Sequence, residues 1–339
     1  MWVVTSRLRT PYTYSQTDEI IHQKFDSVEN NSPNIIRKDV QYIIDKAQEG
    51  NPISMFYLAA IYQNGIELPK DEKKAFILYK KAAKEGNVDV AYHNLACCYE
   101  NGTGTDINFT KMFQNFMKSA ELGNENGMLN VGRCYENGKG VNIDKKNAFH
   151  YYKQAAELGN STAQVHLSNC YEYGIGTPIN LEKSIFWLHK AAEQGDHYGL
   201  TGLAIAYRDG NGVSKDMKHA FKLFKQAAER DKDVALSCLG QCYENGEGTN
   251  INNKKAFKCY KKSAENGYDK AYVNLGMCYE NGIGTEINKK AAFEAYASAA
   301  EKMNKIGMIS LARCYKKGIG TEIDEFLAQE CLKIASSMT

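Results

Sequence analysis

Apolar side chains recur along this chain on a helical beat, interrupted at regular intervals by pairs of glycines. One full cycle reads GMLNVGRCYENGKGVNIDKKNAFHYYKQAAELGN, from Gly127 to Asn160. Val131, Cys134 and Tyr135 fall three and four residues apart, the apolar stripe of a first helix. Gly138 and Gly140 then supply a sharp turn that a backbone bearing a Cβ enters reluctantly. Asp144 stands where its carboxylate can accept from the free N–H groups that open a second helix. Ala148, Phe149, Tyr152, Ala155 and Ala156 form the apolar side of that helix, and Gly159 ends it as a left-handed cap. One such hairpin leaves its own stripe in water, so it needs neighbours of the same kind.

The neighbours are present. Eight tyrosines, Tyr62, Tyr99, Tyr135, Tyr171, Tyr207, Tyr243, Tyr279 and Tyr315, are separated once by 37 residues and thereafter by 36. Four residues before each stands Leu or Val, and eight before stands Ser, Ala or Gly, small enough for helices to approach closely. Nine after stands Asp or Asn every time: Asp71, Asn108, Asp144, Asn180, Asp216, Asn252, Asn288 and Asp324. Only capping residues in that slot is a strong helix-start signal. Fourteen after comes Phe in six repeats, with Ile185 in the fourth and Gln329 in the last, where a final helix leaves one face in water. Ahead of the array, residues 1–16 show no period and are expected to be mobile. Residues 17–50 read as a degenerate helical cap. It holds a weak helix over Thr17–Val28, a break at Asn30-Asn31-Ser32-Pro33, and a lone second helix over Asn34–Gly50 with Val40, Ile43 and Ala47 in register. The repeats fill 51–339. A length of 339 residues alone implies about two domains, but the repeat overrides that count.

This pattern resembles the Sel-one-like repeat (SLR) family, a branch of the tetratricopeptide superfamily. Ala271, Leu275, Gly276, Tyr279, Gly282 and Gly284 match the first half of its unit, and Lys146, Ala148, Lys153, Ala155, Ala156, Glu157 and Gly159 match the second. The likeness covers roughly residues 51–339. It implies an all-α, right-handed α/α superhelical solenoid of about eight helix-turn-helix repeats, first helices lining the inner surface and second helices the outside. Glu67 departs from the pattern at a turn glycine, and Asp231 and Met303 at the inter-repeat glycine, which puts in question the regularity of the superhelix after repeats five and seven. The secreted branch of the family pairs cysteines across both helices of a repeat. Here the matching second-helix position is Ala83, Ala120 or Ala156, so those disulfides are not expected.

Charge is nearly balanced, 42 basic against 40 acidic residues, which disfavours the dense basic footprint that nucleic acid requires. No stretch is long and apolar enough to suggest a membrane span, and the start lacks a secretory signal. The chain is therefore expected in the cytoplasm, as a monomer. Of ten cysteines, Cys98, Cys134, Cys170, Cys242, Cys278 and Cys314 each precede a repeat tyrosine. Stacked repeats hold such positions about 10 Å apart, too far to bridge, so they read as small buried residues and all ten as free thiols.

Candidate chemistry is sparse. The G-x-G turns lack the preceding strand and third glycine of a dinucleotide site. Cys238, Cys242 and Cys259 lack an obvious fourth zinc ligand. His93, His150, His166, His189, His197 and His219 fall at unrelated repeat positions and pair with no periodic nucleophile, so neither catalysis nor any cofactor is expected. Trp187 reads as core, and the Lys80-Lys81 and Lys261-Lys262 pairs as solvated outer face. The residue five before the tyrosine is more informative: Asn94, Asn130 and Asn274, with His166 and Ser310 at equivalent places. It lies about 100° around the helix from the buried Leu. There an amide can meet a peptide group in the groove or bond a neighbouring helix as a ladder. In related tetratricopeptide clamps the matching position resembles one that holds peptide ligands. Glu100, Glu136, Glu172, Glu244 and Glu280 directly follow the tyrosine, where they oppose the helix dipole at a cost of about 0.3–1 kcal/mol. They form either a rim for basic partner residues or solvated helix ends. Arg133 and Arg313, two before the tyrosine, complete the candidate partner-binding set.

The function these features imply is a non-catalytic adaptor or scaffold. It would hold a protein partner or extended peptide in its concave groove, and the family resemblance implies signalling or regulatory complexes. The rivals are a hydrolase of the β-lactam-hydrolysing type proposed for some family members, and a regulatory array cut from a longer kinase-type polypeptide.

Overall fold

The computed structural model describes residues 33–229 and 233–338, and among them every regular element is an α-helix. The helix predicted over 17–28 and the substituted Asp231 lie outside the described residues. α1 (Pro33–Gln48) stands alone and buries Val40, Ile43 and Ala47. It is followed by α2 (Pro52–Asn64), α3 (Glu72–Gly86), α4 (Asp89–Asn101), α5 (Phe109–Glu121), α6 (Glu125–Asn137), α7 (Lys145–Glu157) and α8 (Ser161–Tyr173). Then come α9 (Leu181–Glu193), α10 (His197–Asp209), α11 (Met217–Ala228), α12 (Asp233–Asn245), α13 (Asn253–Glu265) and α14 (Asp269–Asn281). The last three are α15 (Lys289–Glu301), α16 (Lys305–Lys317) and α17 (Glu325–Ser337).

Two compact units result, one ending at Ile179 and the other beginning at Asn180. In the first, α1 leads into the hairpins α2–α3, α4–α5 and α6–α7 and then α8. In the second, α9 leads into α10–α11, α12–α13, α14–α15 and α16–α17. This is the all-α solenoid that the repeat pattern predicts. Within the units, successive first helices touch (α4 with α6, α10 with α12, α12 with α14, α14 with α16), while no two successive second helices come as near. First helices therefore line the inner side of each unit.

The predicted caps form. Each of the eight Asp or Asn residues accepts from the backbone N–H three residues on, as Asp144 does from Asn147 at 3.0 Å and Asn252 from Lys255 at 3.0 Å. Asn124 and Asn304 do more than cap. While Oδ1 caps its own helix, Nδ2 donates to the buried Asp89 (3.0 Å) or to Asp269 (2.6 Å) of the repeat before. The periodic Phe also acquires a reason. Phe76, Phe113, Phe149, Phe221, Phe257 and Phe293 each meet the next repeat's tyrosine edge to face, with ring centroids 5.3–5.4 Å apart. Such pairs add about 0.5–1.5 kcal/mol to the burial itself. Met303 keeps φ at 57°, on the same side as the inter-repeat glycines, so α16 follows α15 as elsewhere. Trp187 is half-buried rather than core, its ring against Phe186 at 5.1 Å.

All ten cysteines are unpaired, and the six that precede repeat tyrosines are buried. Burial pushes the thiols of Cys98, Cys134, Cys170, Cys242 and Cys278 up to about 12, so they stay protonated at neutral pH. Alkylation is therefore expected to be slow at these positions in the folded protein and to reach ten labels on denaturation without reductant. A shortfall of two or more by intact mass reveals a disulfide.

Candidate partner-binding surface

The glutamates that follow the repeat tyrosine receive partners from the same hairpin. Seventeen residues after the repeat tyrosine, every second helix but the last, where Leu332 is exposed, carries a buried side chain, and in three repeats it is a tyrosine beneath such a glutamate. Tyr152 donates to Glu136 (2.5 Å), Tyr260 to Glu244 (2.6 Å) and Tyr296 to Glu280 (2.8 Å). Tyr79 donates likewise to Gln63, which takes the glutamate's place in the first repeat (2.8 Å). Burial, reinforced by the carboxylate acceptor, pushes the phenols of Tyr152, Tyr260 and Tyr296 well above their ordinary range. A carboxylate that satisfies a buried hydroxyl offsets its poor placement at a helix C-terminus. Where Phe116 replaces the tyrosine, Glu100 is instead paired with Lys139 (2.8 Å). Glu172 lies beside Leu188 in sequence register but stays engaged and half-buried.

The candidate residues five before the repeat tyrosine fall in two situations. Three touch the preceding repeat. Asn94 approaches the Tyr79 hydroxyl. The His166 ring stacks on Tyr152 with centroids 4.7 Å apart, and burial lowers its basicity. Asn274 reaches Ser237 across repeats at 3.4 Å, a long contact of the ladder kind. Asn130 and Ser310 are half-buried, and their side chains make no hydrogen bond to another described residue.

The two arginines share a register but differ in state. Arg313 forms two parallel bonds to Glu280 of the repeat before, 2.7 and 2.6 Å long, and lies over the Tyr296 ring. With Tyr296 it holds the Glu280 carboxyl below the usual carboxylate range. By the same register Arg133 would meet Glu100, but Lys139 occupies that carboxylate, and Arg133 stands exposed without an ion pair among the described residues. Arg133 and Asn130 lie three apart on α6, adjacent on one helix face. The first unit thus presents an unengaged guanidinium beside an unengaged amide.

One thiol lies close to an imidazole: Cys97 Sγ is 3.7 Å from His93 Nε2. Burial moves both groups away from reactivity: the thiol is pushed up to about 12 and the imidazole down to about 4. Neutral thiol beside neutral imidazole is the opposite of an activated thiolate. Among the described residues no group of three or more His, Cys, Asp or Glu is arranged to hold a metal.

Eight consecutive matches to the Sel1 repeat model run through the chain: residues 52–87, 89–124, 126–160, 161–196, 197–232, 235–268, 269–302 and 305–339. Among solved structures, a protective antigen of uropathogenic Escherichia coli displaying an SLR fold is 28% identical, with a TM-score of 0.66 over 94% of this chain and 75% of that one. A Sel1 repeat protein from Oxalobacter formigenes is 24% identical, with a TM-score of 0.61 over 99% of this chain and 94% of that one. No curated protein is significantly similar in sequence.

Proposed function

The chain belongs to the Sel1 repeat family, and from that premise we propose that it is a non-catalytic scaffold whose first helices hold an extended segment of a protein partner. The observation that carries this reading is Arg133 beside Asn130. Both lie on the first-helix surface, and neither is spent on the fold. An amide can donate to and accept from one peptide group at once, and a guanidinium next to it suits a carboxylate or carbonyl of the bound chain. Glu136 offers Oε1 to a basic partner residue, its Oε2 being held by Tyr152. Glu280, engaged by both Arg313 and Tyr296, does not. Ser310 holds the equivalent repeat position on α16 in the second unit. The unpaired thiols favour a reducing compartment, the cytoplasm. Among the described residues no helix is long and apolar enough to cross a membrane.

The test is to pan a displayed peptide library on the full chain and titrate the selected peptides against Asn130→Ala/Arg133→Ala. Losing these contacts is expected to weaken binding by about tenfold or more, with little change in melting temperature. Asn274→Ala is expected to leave affinity intact, since that amide already bonds Ser237. Selected peptides that bind the double variant as tightly as the parent would remove this site.

A further inference from the structure

The outer faces of α11 and α13 are one-sided in charge. Lys218, Lys222 and Lys225 stand at i, i+4 and i+7 of α11, and Lys254, Lys258 and Lys261 take the same three places in α13, one repeat on. All six are exposed, and none makes an ion pair with another described residue. α11 contains no acidic residue, and α13 only its last, Glu265. Their neighbours in the second unit are built otherwise. α9 pairs Lys190 with Glu193 at 3.4 Å, and α15 has Glu294 where α11 and α13 have Lys222 and Lys258. Like charges one turn apart work against a helix, and here two successive helices repeat the same arrangement.

The patch is also narrow. Each lysine row spans about 10 Å along its helix. Carboxylates bound the α11 row at both ends, Asp216 at its cap and Glu229 after its last lysine, and Glu265 follows the last lysine of α13. A bilayer or a nucleic-acid duplex is broader than this and would meet those carboxylates as well. Neither helix offers an arginine fork for phosphate, and Phe221 and Phe257 are turned inward onto Tyr243 and Tyr279. A single acidic segment fits within the rows. In helical form, its carboxylates at three- and four-residue spacing have the same rise as the lysines.

We infer that the outer face of α11 and α13 is a docking surface for an acidic protein segment, separate from the first-helix surface. The probe is a fluorescein-labelled, alanine-based helical peptide with Glu at i, i+3, i+4 and i+7, titrated with the full chain by anisotropy. Binding is expected at low salt and to weaken as salt is raised. Lys222→Gln/Lys225→Gln/Lys258→Gln/Lys261→Gln is expected to reduce affinity about tenfold or more. Lys80→Gln/Lys81→Gln/Lys145→Gln/Lys146→Gln, which removes as many charges from the first unit, should change it little. Thermal melts of both variants confirm that the fold is kept. The inference falls if the peptide does not bind at low salt, or if both variants lose affinity equally. It also falls if phosphatidylserine vesicles or a labelled DNA duplex bind at lower protein concentration and lose that binding in the α11/α13 variant.

Discussion

Gly284→Ala is expected to destabilise the second unit by about 3 kcal/mol or more, far beyond the usual cost of adding one methyl group. Gly284 holds φ at +71°, a left-handed conformation that costs an L-residue about 1–2 kcal/mol. Sterics add the larger part. A Cβ there would sit 2.0 Å from the Asn253 carbonyl oxygen and 2.4 Å from its carbon. Those are backbone atoms at the start of α13, held by the Asn252 cap, and they cannot swing aside as a side chain would. The turn of one repeat rests directly on the helix start of the repeat before it, so relieving the clash means separating repeats. Gly267 is the matched control. It too has positive φ (+92°), but its nearest neighbour would be the flexible tip of Lys302 at 3.7 Å. Gly267→Ala is therefore expected to cost only about 1 kcal/mol, the conformational strain alone. Urea unfolding of the two variants separates strain from collision, and equal losses would show that the inter-repeat contact contributes nothing.

That contrast shows how far the sequence is legible. Periodicity alone gives the helix boundaries, the caps and the repeated hairpins, because capping and apolar spacing act within one repeat. The tolerance of Met303 at an inter-repeat glycine also follows once its backbone is seen at φ 57°, in a slot like that of Gly267, where a side chain meets open space. The partner of Glu136, Glu244 and Glu280 was within reach of the same reading. A tyrosine seventeen after the repeat tyrosine accompanies a glutamate or glutamine one after it in four repeats, a pairing that single-position inspection passes over. The different fates of Arg133 and Arg313 were not legible. They turn on Lys139 reaching Glu100 from a loop, a competition between side chains of different repeats that no local pattern encodes.

Leu239→Ala tests whether the repeats of the second unit behave as nearest neighbours. Leu239 is buried in a cluster with Leu188, Leu203, Phe224, Leu236 and Cys242, contributed by α9 to α12. Removing its branched end leaves both lost transfer energy and a cavity, expected to cost about 2–5 kcal/mol. Ile251→Ala, at an exposed position (65%), is expected to stay within about 0.5 kcal/mol. The location of the damage is the sharper prediction. In a solenoid each hairpin touches mainly those beside it, so the loss should appear first where the cluster is. Hydrogen exchange is expected to quicken in α9 to α12. The separate cluster around Met308, Leu311 and Cys314 should hold α16 close to the parent rate. Exchange that rises evenly from α9 to α17 would mean that the unit unfolds as one cooperative body, and the additive picture of its repeats would have to be given up.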